Sequence, residues 1–186
     1  MQGRSIDEKF DLQRMAISLT KHKKLTLRQL ERIFALARIG LCEMSYNSKI
    51  FGDIYFFLAY LKVCETELFD GISRIDYSQQ ELMDRLEEMG KDIIKVESNQ
   101  QSGRYPDYLN CTCHLMMCYE ESIHNSVDRK YKPLKDKGDS SIKLNFKYSD
   151  ADNGNNLLAH YAQNFNTVVD ITHFTKKLEL LTQFQA

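Results

Sequence analysis

The chain has 186 residues, 42% hydrophobic and 27% charged, with two prolines and eight glycines, which fits a folded globular protein and excludes a linker or low-complexity chain. Its 25 basic and 26 acidic residues leave a net charge of −1, so no global field exists to hold nucleic acid or an anionic membrane, and any such contact has to be local. The amino-terminal stretch MQGRSIDEKF lacks the apolar core of a secretory signal. The longest apolar run, residues 54–59 extended through Val63, is too short to span a bilayer. Five cysteines at irregular spacing read as reduced thiols, and a cytoplasmic location is the expectation.

Ser5 with Glu8 has the form of a capping box and introduces Phe10, Leu12, Met15, Ile17 and Leu19, which predicts a helix over residues 6–20. After the basic run Lys21, His22, Lys23 and Lys24, Thr26 with Gln29 forms a second capping box. On the helix that follows, Leu30, Ile33, Phe34, Ala37, Leu41 and Met44 fall on one stripe, with Arg28, Glu31, Arg32, Ala35 and Arg38 opposite. A third helix over residues 48–68 is apolar nearly all round, through Ile50, Phe51, Ile54, Tyr55, Phe56, Phe57, Leu58, Leu61 and Val63. Such a helix belongs at the centre of a bundle.

Gly71 reads as the end of that helix. Ser78 with Glu81 caps a fourth, carrying Leu82, Leu86 and Met89 and stopped by Gly90. Residues 92–97 form a separate short piece and residues 98–103 a loop. Pro106 then opens a fifth helix over residues 107–128, striped by Leu109, Thr112, Leu115, Met116, Tyr119 and Ile123. Residues 141–148 alternate strictly, with Ile142, Leu144, Phe146 and Tyr148 against Lys143, Asn145 and Lys147, the pattern of a half-buried strand. A lone strand needs a mate, which is either residues 93–96 or an edge from another domain or chain. The chain ends in one or two amphipathic helices bearing Leu157, Leu158, Tyr161 and Phe165, then Val168, Ile171, Phe174, Leu178 and Leu181.

Chemistry-bearing clusters are few. Cys111, Cys113, His114, Cys118 and His124 lie along one helix, where helical spacing pairs Cys111 with His114 or His114 with Cys118. Zinc needs four ligands converging on one point, and no second CxxC or HxxxH supplies the rest. Against a weak metal-site reading of Cys111, His114 and Cys118, thiols buried in a helix core are the simpler account, and no metal or cofactor is expected. Asp150, Asp152 and Gly154 fail the calcium-loop register, because glycine stands fifth and Tyr161 twelfth. The phosphate-loop, nucleophile-elbow and HExxH patterns are absent, so no catalytic residue is assigned and catalysis by this chain alone is not expected. The cluster Lys21, Lys23, Lys24, Arg28 and Arg32 surrounds a helix start, a natural place for phosphate. The competing reading is a solvated face with Glu31 as local counter-charge. A helix-turn-helix DNA reader does not fit, since the following helix is apolar and must be buried.

From Thr26 the chain carries a hydroxyl, an arginine two residues on (Arg28), Leu30, a second arginine (Arg32) and Ile33-Phe34, then a turn at Tyr46-Asn47-Ser48 and the apolar helix. This arrangement resembles the helical region that follows the nucleotide-binding core in KAP family P-loop NTPases, over roughly residues 10–71. The resemblance implies a carboxy-terminal piece or separately encoded remnant of a larger ATPase, with Arg28 in the place of an arginine that senses bound nucleotide and Arg32 supporting it. The Walker A loop and Walker B acid of such proteins are missing, so ATP binding or hydrolysis does not carry over. Association of such ATPases with phage defence extends the implication to bacterial defence.

The fold expected is mainly α, a helical bundle around a buried central helix with a small β element of one or two strands in the carboxy-terminal half. Residues 1–130 form the bundle, and residues 131–186 supply a loop, a strand and terminal helices on the same single domain. The leading functional expectation is a non-catalytic accessory or sensor region of a KAP-type ATPase, with Arg28, Arg32, Lys24 and Arg38 as nucleotide-sensing or interaction residues. A stand-alone helical protein-interaction or regulatory domain comes second. A nucleic-acid module using the cluster from Lys21 to Arg32 comes third. A protein partner or ATPase core is expected, and a membrane span is not.

Overall fold

The computed structural model describes residues 5–42, 52–100, 106–126 and 170–183. The protein is mainly helical. Seven helices lie among the described residues: α1 (Ser5–His22), α2 (Leu27–Cys42), α3 (Gly52–Cys64), α4 (Thr66–Arg74), α5 (Gln79–Gln100), α6 (Asp107–Ser126) and α7 (Ile171–Gln183). No strand occurs among them. The strand expected at residues 141–148 lies outside the described residues, as do the turn at residues 46–48, the loop at residues 150–156 and the helical pattern at residues 157–168. One mate considered for that strand is removed, because Ile93, Ile94 and Val96 belong to α5. No helix among the described residues is long and apolar enough to cross a membrane. The chain divides into two compact units, one of Met1–Asp70 with His173–Ala186 and one of Gly71–Thr172. The boundary expected near residue 130 lies outside the described residues.

In the first unit α3 is the centre. Every side chain from Ile54 through Leu61 is at most 1% exposed, and α1 and α2 both pack on this helix. Burial of each large apolar side chain contributes on the order of 1.5–3 kcal/mol, so the all-round apolar pattern is what makes α3 an axis. Two glycines permit close approach. A Cβ at Gly40 of α2 would sit 2.7 Å from the Tyr55 ring, and one at Gly52 would sit 3.0 Å from Leu12 of α1. Phe174 of α7 meets the Tyr55 ring edge-on at 4.9 Å between centroids.

The Gly40 contact turns α2 from its expected face. Its buried residues are Ile33, Leu36, Ala37 and Gly40, whereas Leu30 is half-buried and Phe34 is exposed. At about 100° per residue, the buried face is centred roughly 60° from the stripe that apolarity alone selects. Leu41 and Met44 of that stripe fall outside the described side chains. Backbone approach to Tyr55 needs the glycine, and the glycine therefore sets the rotation.

The third helix also departs from expectation by breaking at Glu65 into α3 and α4. The Thr66 hydroxyl donates back to the Lys62 carbonyl at 3.4 Å, a competition with the helical ladder that bends helices. Lys62 lies over the Phe69 ring at 4.4 Å and braces the two pieces. Gly71 is not the stop. It sits inside α4, where a Cβ would run into the Tyr77 ring. The helix ends instead at Arg74 in a Schellman arrangement, with Asp76 N–H donating to the Gly71 carbonyl at 2.9 Å and Ile75 N–H to that of Ile72 at 3.2 Å. Ile75 takes the left-handed φ of 58° that the motif requires.

In the second unit α5 packs on α6. The capping box at Ser78 forms as expected, with Ser78 N–H donating to the Glu81 carboxylate at 2.8 Å and Glu81 N–H to the Ser78 hydroxyl at 3.3 Å. Those bonds hold the Glu81 carboxyl below the usual range. Gly90 does not stop α5, which continues to Gln100. It is a contact point, since a Cβ there would penetrate the Tyr108 ring. Residues 92–97 and 98–100, expected as a separate piece and a loop, belong to the same helix. Helix α6 is buried around its whole circumference from Tyr108 to Glu120 apart from Asn110, so its expected stripe understates its burial.

Candidate functional site

Helix α2 presents the cationic residues singled out by the sequence. Its start is built by Thr26, whose N–H donates to Gln29 Oε1 at 2.9 Å while Gln29 N–H donates to the Thr26 hydroxyl at 3.2 Å. Lys24, with φ of 48°, turns the chain out of α1 immediately before this cap. The first turn of α2 carries no acid, so the positive end of the helix dipole is reinforced by Arg28 rather than offset. Lys24, Arg28, Arg32 and Arg38 are all exposed. Within the described residues no ion pair or hydrogen bond engages the three arginines.

These residues do not all share one direction. Arg28 and Arg32 are one turn apart on a single flank, with Lys24 just before the helix. Arg38 lies roughly 100° round the axis from them, beside Glu31 and the exposed Leu27 and Phe34. Exposed guanidiniums one turn apart can engage a phosphate or carboxylate through several donors at once, but they provide no nucleophile and no general base.

The thiol cluster is a different environment. Cys111, Cys113, His114 and Cys118 are buried within α6. No group of three or more His, Cys, Asp or Glu side chains among the described residues is placed to hold a metal. Burial first, and Glu87 second, pushes the Cys113 thiol well above its ordinary range. The Cys64 thiol moves the same way through burial and Glu65. Raised thiol pKa values disfavour the thiolate needed for ligation or attack at Cys113 and Cys64; Cys111, Cys113 and Cys118 are buried and Cys64 is half-buried.

Several polar contacts of the second unit went unnoticed in the sequence. Glu97, on the last turn of α5, is buried and accepts the Tyr108 N–H at 3.2 Å, closing the start of α6. Ser122 bonds to the Asp170 carboxylate and accepts the Ile171 N–H at 2.8 Å, and Asp170 accepts the Thr172 N–H at 2.8 Å. The Tyr119 hydroxyl donates to the Tyr77 carbonyl at 2.7 Å and accepts the Tyr77 N–H at 3.1 Å. Each closes a helix end or turn, a structural duty. Only Asp170, two residues before Thr172, carried a local capping signal.

Comparison with protein-family models, with curated proteins and with solved structures finds no match for the chain.

Proposed function

We propose that the chain is a non-catalytic helical accessory region of a KAP-type P-loop ATPase, in which the Arg28–Arg32 flank of α2 meets the phosphate-bearing side of the ATPase core. The observation that carries this reading is the pair of exposed arginines, one turn apart at a capped and acid-free helix start, without a carboxylate partner among the described residues. The resemblance of residues 26–34 to the post-core helix of that family supplies the direction. Arg28 contacts the nucleotide phosphates or the loop that holds them, Arg32 supports it, and Lys24 adds positive potential at the same end. The rigid packing of α2 on α3 through Gly40 and Tyr55 transmits nucleotide state to the rest of the first unit. A role in bacterial defence follows from the same resemblance.

The test is Arg28→Ala in the ATPase that carries or recruits this chain. Turnover is expected to fall by about tenfold or more, the scale of losing one charge-stabilising contact, while the melting temperature of the helical region stays the same. An unchanged turnover sinks the role of Arg28.

A further inference from the structure

The other edge of α2 carries an independent signal. Among the described residues four large apolar side chains are exposed, and two of them, Leu27 at 74% and Phe34 at 47%, lie on this helix. Leu27, Glu31, Phe34 and Arg38 follow the four-three-four spacing of a helix–helix seam and fall within about 60° of one another. Glu31 and Arg38 are exposed, and neither forms an ion pair within the described residues.

The order of charges on this ridge makes it complementary to itself. When two copies of α2 lie antiparallel with their centres beside Phe34 and Ala35, Glu31 of each helix comes opposite Arg38 of the other. The outer faces of the two Phe34 rings, each packed edge-on against Phe56 of its own chain at 5.1 Å, meet at the axis between two reciprocal ion pairs, and the small Ala35 leaves them room. A two-fold contact requires this reciprocity, with residue i facing j and j facing i. A parallel pairing would place Glu31 on Glu31 and Arg38 on Arg38, which is repulsive.

We propose that Glu31, Phe34 and Arg38 of this ridge of α2 dock antiparallel on the same three residues of a second copy of this chain, with Leu27 at the edge of the contact. Arg28 and Arg32 lie roughly a quarter turn or more away, so the dimer leaves the flank assigned to the ATPase core open. A single helix pair buries less than the roughly 1,200 Å² of a standard stable interface, and association is therefore reversible and read at high concentration.

The experiment is sedimentation equilibrium of the full chain over a concentration series, with helical content checked by circular dichroism. The wild type forms a dimer. Glu31→Arg alone and Arg38→Glu alone each weaken it by at least about tenfold, because both ion pairs become like-charge contacts. The double variant Glu31→Arg with Arg38→Glu restores the wild-type dissociation constant. A wild type that stays monomeric, single variants that dimerise unchanged, or a double variant without restoration overturns the proposal.

Discussion

Replacing Gly90 by alanine discriminates between two roles for a helical glycine. In an exposed helix interior Gly→Ala stabilises by about 1 kcal/mol through helix propensity. At Gly90 the added methyl would overlap the Tyr108 ring. That ring cannot retreat freely, because its hydroxyl donates to the Leu86 carbonyl at 2.8 Å and its own backbone N–H is held by Glu97 at 3.2 Å. Overpacking costs about 1–3 kcal/mol, and loss of the Tyr108 hydroxyl bond costs about 1 kcal/mol more. Set against the propensity gain, the balance is a destabilisation of about 2 kcal/mol. For a chain of this size that lowers the melting temperature by about 4–8 °C. Urea and thermal unfolding followed by circular dichroism measure the change. A Gly90→Ala protein as stable as the wild type, or more stable, would refute the close α5–α6 contact.

Thr26→Ala removes the hydroxyl that accepts the Gln29 N–H at the start of α2 while leaving the backbone N–H of residue 26 to Gln29, and chemical denaturation is expected to show a loss of about 1 kcal/mol. Tyr119→Phe deletes the bonds to the carbonyl and N–H of Tyr77 and should destabilise by about 1–2 kcal/mol. Tyr119 also confers a pH dependence. Burial pushes its pKa up to about 12, above the unfolded value of about 10. Its contribution to stability is therefore complete below pH of about 10 and is lost as pH rises toward 12. A Tyr119→Phe protein should show a flatter alkaline limb of stability against pH, and an identical limb would remove this assignment. The single and paired charge reversals at Glu31 and Arg38 complete the set.

Helix-cap signals in the sequence carried into the structure, and glycine stop signals did not. The cap at Thr26 and the cap at Ser78 were readable because donor and acceptor lie three residues apart. The central position of α3 was readable because an all-round apolar helix has one stable environment. Gly71 and Gly90 were misread as stops. A glycine ending a helix and a glycine admitting an aromatic ring look the same locally, and the deciding rings are Tyr77 and Tyr108. Gly40 acted in the same way on α2, and its contact with Tyr55 left Phe34 at the rim of the core, its ring edge-on against Phe56 at 5.1 Å and 47% exposed. The break between α3 and α4 at Glu65 leaves no mark in hydrophobic periodicity. For the candidate site, the exposure of Arg28 and Arg32 followed from their opposition to the apolar stripe. The separation of Arg38 onto another edge follows from helical spacing alone and was equally readable, whereas which edge faces the core required the rotation that Gly40 imposes.

The most direct test of the role of α2 is amide hydrogen exchange across residues 27–32 in the ATPase that carries or recruits this chain, with and without magnesium nucleotide. Contact of Arg28 and Arg32 with the phosphate side of the core predicts slower exchange there when nucleotide is bound, and loss of that protection in Arg28→Ala. Exchange at residues 27–32 that is the same with and without nucleotide would contradict it.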